Sequence, residues 1–210
     1  MVAKGKSQRF DPFILVDIVF NVWLAYLFFQ TWATPSECNV DKIYALSTLI
    51  IFEFIMVHSG LLMAGFPPKI SIFIFFPFYG LFAWGFNHLV LDNSIIYLYC
   101  GVVLNRMRFA FFNVDKETKR QNIHWSIYAC SIYIFLFLGI NLLSGMVPEL
   151  GLSPEFLAKA AYNPSGEGAM IDQPKISMCI GFLYYIMLAL SNMVLFGAGL
   201  KRLIRRISKR

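Results

Sequence analysis

Charge is what this chain has least of. Only 14% of its 210 residues are Asp, Glu, Lys or Arg, against roughly 25% in soluble domains. A chain of this length has too little interior to hide the rest, which is 58% hydrophobic and includes 22 Phe, so an ordinary water-soluble globule is excluded. Catalytic signatures are missing as well. H-E-x-x-H, G-x-S-x-G, Walker A and C-x-x-C-H do not occur, which removes the metalloprotease, serine-hydrolase, nucleotide-binding and c-type haem readings. The cysteines Cys38, Cys100, Cys130 and Cys179 are scattered and form no C-x-x-C. Three of them lie inside apolar runs, where a free thiol behaves as a small hydrophobe, so neither a disulfide framework nor a zinc site is expected. There is no internal repeat, low-complexity tract or second domain.

What is present is a succession of apolar runs. About twenty apolar residues cross the hydrocarbon of a bilayer, and runs near that length suggest an all-α bundle of six transmembrane helices in a single domain, residues 1–210. The expected spans are about 12–32, 43–65, 70–91, 94–112, 123–147 and 176–199. An outward loop at 148–175 contains a short helix from Pro154 to Tyr162, and a basic amphipathic tail occupies 200–210. The first run is not read as a cleaved signal peptide, because Asp17 and Asn21 interrupt it and no small-x-small site follows. Pro77 should kink the third span, and Gly80 should admit a close neighbour. The fourth run is the weakest. Its alternative is a re-entrant or interfacial segment.

The formal charge of +6 is distributed as a topology signal. In the six-span arrangement fifteen of the 18 Lys and Arg residues fall on one side, so the positive-inside rule puts both termini in the cytoplasm. Without the fourth span the basic tail and the basic N-terminus would lie on opposite sides. Compactness and this bias point to a bacterial inner membrane. The basic residues lie between and after the apolar runs rather than interleaved with aromatics in a soluble domain, so the partners expected are the lipid bilayer, a membrane subunit or a second copy, and no nucleic acid. In the tail, Leu200, Leu203, Ile204 and Ile207 alternate with Arg202, Arg205 and Arg206, which suits binding to an anionic membrane surface.

The second run carries the sharpest anomaly. Glu53 lies near the middle of Ile43–Gly65, and a carboxylate at that depth costs at least ~2.5 kcal/mol unless paired, protonated or wet. Rising about 1.5 Å per residue, Asp17, His58, Arg106 and Arg108 lie roughly 6–10 Å from the cytoplasmic end, with Asn21 and Asn192 near the same layer. Asp17 and Asn21, four apart, share a helix face. Glu53 and His58, five apart, diverge by roughly 140° and are no ready-made pair. Arg106 and Arg108 point roughly 200° apart, so one faces the bundle while the other snorkels.

These groups outline a cytoplasm-facing polar layer closed by Glu53, the type of arrangement that marks proton, ion or substrate pathways. The competing reading is structural: an Asp17–arginine ion pair that fixes packing, with Glu53 hydrogen-bonded to a neighbour. A bis-histidine haem is disfavoured, since His58 and His88 differ in depth by roughly 17 Å. No metal site, catalytic set or cofactor is expected. The functional expectation is a transporter- or channel-like module or the membrane subunit of a larger complex. The alternative is a small membrane-embedded enzyme acting on a lipid or lipid-linked substrate.

Overall fold

The computed structural model describes residues 13–88, 96–97, 99–100, 116–164 and 168–207. Within them the chain is helical and contains no strand. Helix α1 is Phe13–Ala33 and α2 is Val40–Gly65, joined by a 3₁₀ turn at Glu37–Asn39. Next come α3 (Pro68–Ile70), a π-turn (Ser71–Phe75) and α4 (Phe76–Asn87), and then α5 (Lys116–Leu142). Two short helices, α6 (Pro154–Lys159) and α7 (Ala169–Asp172), precede the long α8 (Pro174–Ile207). Most of the expected fourth span, 94–112, lies outside the described residues.

Among the described residues, three helices are long and apolar enough to cross a membrane: Ile14–Ala33, Ile123–Leu142 and Pro174–Gly197. The surface of the bundle explains how they can. Phe135 is 76% exposed, Leu142 85% and Val194 73%, and Val19, Leu81 and Trp84 also face outward. Glu53, Ser47, Thr48, Ser59 and Asn192, by contrast, are buried. Apolar groups spread this widely over the outside would be untenable in water. In lipid they cost nothing, and the polar groups turn inward.

Helix α2 is the hub, packed against α1, α4, α5, α7 and α8. Although it is 26 residues long, its buried faces meet protein on several sides. Helices α1 and α8 form the most extensive pair, and their register is antiparallel: Phe28 stacks on Tyr185 at 5.7 Å, and Phe29 meets Phe182 at 5.3 Å. The start of α1 and the end of α8 therefore lie at the same end of the bundle. Helix α8 passes without a break from its apolar segment into the basic tail.

The α1–α2 and α5–α8 connections meet at the opposite end. The Trp32 indole donates to the Pro148 carbonyl at 3.0 Å, and the Gly151 amide donates to the Trp32 carbonyl at 3.0 Å. A side chain at Gly151 would run into Pro35 at 2.2 Å, so this crossing requires glycine. Lys159 pairs with Glu37 at 2.6 Å and Lys175 with Glu149 at 3.2 Å. Ser153 caps α6 by accepting from the Phe156 amide. The Glu155 carboxyl is held below the usual carboxylate range by its own backbone N–H, then by the Ser153 hydroxyl.

Where a proline kink is expected, a π-turn stands immediately before α4, and Pro77 lies in the first turn of that helix. Pro77 has no N–H to give, and widening the preceding turn re-spaces the backbone there. The Phe76 carbonyl accepts the Tyr99 hydroxyl, and Tyr99 lies over Gly80, where an added Cβ would stand 3.3 Å from the hydroxyl. Gly80 thus admits a neighbour, as its position suggested.

Gly181 is the tightest point of the α1–α8 pair. An added Cβ there would fall 2.3 Å from the Phe28 ring, which is completely buried. Overpacking of this kind typically costs about 1–3 kcal/mol. We expect Gly181→Ala to lower the thermal midpoint in detergent micelles, with Phe28→Leu restoring part of the loss in the double variant. An unchanged midpoint for Gly181→Ala would show that the pair is looser than this.

Candidate functional site: a buried carboxyl within an aromatic chain

Glu53 is 2% exposed at the meeting of α2, α5 and α8. The Tyr184 hydroxyl donates to its Oε1 at 3.1 Å. Tyr133 of α5 stands edge-on to Tyr184 at 5.4 Å and donates its own hydroxyl to the Ile50 carbonyl at 2.6 Å. Both tyrosines are fully buried. A chain of rings crosses the bundle here: Phe54 to Tyr133 at 6.0 Å, Tyr133 to Tyr184, Tyr184 to Tyr185 at 5.1 Å, and Tyr185 to Phe28. Tyrosine suits this position because the ring fills apolar space while the hydroxyl supplies a hydrogen bond. Nearby on α2, the Ser59 hydroxyl donates to the Met56 carbonyl at 2.6 Å.

The other sequence-predicted residues are placed separately. Asn21 is buried and donates from Nδ2 to the Asp17 backbone carbonyl at 2.7 Å, while Asp17 is half-buried. Asn21 is thus satisfied on its own helix. Asn192 is buried on α8, and the antiparallel register of α1 and α8 carries Asn21 toward its level. His58 is half-buried, with Nδ1 3.0 Å from the Phe54 carbonyl. A carbonyl only accepts, so Nδ1 is the donor in this contact. His58 and Glu53 are held by different partners, as their angular separation implied. Arg106 and Arg108 lie outside the described residues, and so do the side chains of Arg202, Arg205 and Arg206.

At the α5–α8 contact the Tyr128 and Ser191 hydroxyls are 2.8 Å apart, and the Arg120 Nε donates to the His124 ring at 3.4 Å. Among the described residues no group of three or more His, Cys, Asp or Glu side chains comes together as a metal site would require.

A cavity of about 320 Å³ opens between α2, α5 and α7, lined by Ile51, Phe54, Tyr133, Phe137, Asn141 and Met170 among others. It reaches toward the loop end of the bundle, away from the end where α1 begins, and none of the sequence-predicted residues lines it. Tyr133, Tyr184 and this cavity were not singled out from sequence. The available signal was tyrosine in the middle of an apolar run, far from the interfacial belts where it normally sits.

Loss of the Tyr184 hydroxyl removes a donor from a buried carboxyl, an omission that costs about 1–3 kcal/mol. We expect Tyr184→Phe to unfold at lower denaturant in micelles, with Glu53→Gln affected less because the amide oxygen can still accept. Equal stability of wild type and Tyr184→Phe would remove this hydrogen bond from the account. Comparison with protein-family models, curated proteins and solved structures finds no match for this chain.

Proposed function

We propose that the protein is a six-span membrane protein of the transport type, acting alone or as the membrane subunit of an assembly, with Glu53 as its ionisable working group. The observation that carries the reading is Glu53 itself: an acidic side chain 2% exposed inside a bundle whose outside is apolar. Acidic groups in that setting are rare and tend to mark ion or proton pathways. Tyr184 on α8 supports it, because the hydrogen bond from its hydroxyl ties Glu53 on α2 to a second helix. What reaches Glu53 then bears directly on the contact between α2 and α8, as a gated pathway needs.

Both termini are cytoplasmic in this proposal, and the membrane is the inner membrane of a bacterium. The distribution of Lys and Arg supports this, together with the return of α1 and α8 to one end of the bundle. Cys38 is exposed in the turn after α1. In intact cells, a membrane-impermeant maleimide is expected to label Cys38 without permeabilisation. Labelling only after the membrane is opened would reverse the orientation.

The transport reading is tested on protein reconstituted into liposomes that contain a pH-sensitive dye, with a potassium diffusion potential as driving force. Wild type is expected to speed proton entry over empty liposomes, and Glu53→Gln to cut that excess at least tenfold with helicity unchanged. Proton entry equal to that of empty liposomes, or unaffected by Glu53→Gln, would overturn a proton pathway through this residue.

A further inference from the structure

The cavity between α2, α5 and α7 is built for something apolar. Its walls are Ile51 and Phe54 on α2, Tyr133 and Phe137 on α5, and Met170 on α7, with Asn141 and Ala169 at one end. The Asn141 amide donates to the Phe137 carbonyl at 2.7 Å, and the Tyr133 hydroxyl is committed to the Ile50 carbonyl. Two of its polar side chains thus direct hydrogen bonds into the helices, and a water in the deep part would find few of the partners it needs.

The surroundings identify the occupant. Helix α5 is one of the three membrane-crossing candidates, and Ile134, Phe135 and Leu138, beside the cavity-lining positions on the same helix, are exposed. The medium at the mouth is therefore hydrocarbon. The lining also has a direction. Tyr133, Phe137 and Asn141 are successive turns of α5, covering roughly 12 Å, with aromatic walls at mid-depth and an amide at the loop end where the bundle meets the headgroup region. That gradient fits an acyl chain inserted from the loop side. At about 320 Å³ the space lies at the low end of ligand pockets, enough for part of one chain and too little for a second or for a headgroup.

We propose that this cavity is a binding site for a single acyl chain of a membrane lipid, with the polar end of the lipid near Asn141. The site rests only on the membrane setting of the helices. It is independent of the role given to Glu53, so proton flux and lipid occupancy can fail separately.

The test uses the full chain in liposomes containing a phosphatidylcholine with a photoreactive diazirine on the headgroup-proximal half of one acyl chain, followed by peptide mapping of the cross-links. Label is expected on Met170 and Phe137, facing the cavity, as well as on the outward Phe135. Ile51→Trp should fill the space and reduce Met170 labelling at least fivefold while leaving Phe135 unchanged. Should that variant fail to fold, Ala169→Phe closes the same space from the loop side and is judged by the same ratio. Label confined to Phe135 and other outward residues, or Met170 labelling unchanged in a folded space-filling variant, would overturn the site.

Discussion

A carboxyl group in the middle of a lipid-wrapped bundle has to be hydrogen-bonded from within, and the interior of this protein is arranged around that requirement. Lipid offers no donor, and an unsatisfied polar group there costs several kcal/mol. The Tyr184 hydroxyl reaches Glu53 across 131 positions of sequence. To do so, α8 must run parallel to α2 at close range, and α1 packs along α8 in turn. The Phe28–Gly181 contact makes that second packing possible.

The same physics explains why α2 is central. It carries Ser47, Thr48, Glu53 and Ser59, all buried, and a helix with polar residues on more than one face cannot turn any of those faces to lipid. Surrounding it with α1, α4, α5 and α8 buries those faces in protein. Those neighbours can then expose Val19, Leu81, Phe135 and Val194 at no cost. Without a hydrophobic drive between helices in lipid, close contact depends on small residues and internal hydrogen bonds. Gly181, the Tyr133–Ile50 bond and the Tyr128–Ser191 pair fill those roles.

Much of this was legible in the chain, and the division follows the range of each interaction. Hydropathy and composition gave the helical class and the segments that become α1, α5 and α8, because each helix answers to its own residues. The inward placement of Glu53 followed from its solvation cost alone. Pro77 and Gly80 announced a local disturbance and a close neighbour, though not the π-turn that accommodates the proline. Tyr184 as partner was not legible, since hydropathy says nothing about which helices touch. Gly181 had a readable trace: Ser177 and Gly181 are four apart with both positions buried, a small-x-x-x-small pattern that favours close helix approach. The ion pair expected between Asp17 and an arginine involves residues 106 and 108, which lie outside the described residues. Asn21, the companion of Asp17 on α1, bonds to the Asp17 backbone carbonyl, an option open to any Asn four residues after a helical carbonyl.

Tyr133 joins the two features of the interior that bear on function. Its ring lines the apolar cavity on one side and meets Tyr184 edge-on at 5.4 Å on the other, while its hydroxyl is fixed to the Ile50 carbonyl one turn before Glu53. Protein interiors are packed at crystal-like density, so a change of volume against one face of a ring is passed to whatever touches the other. Tyr133 is thus held from two sides, its ring by packing against Tyr184 and its hydroxyl by the Ile50 carbonyl.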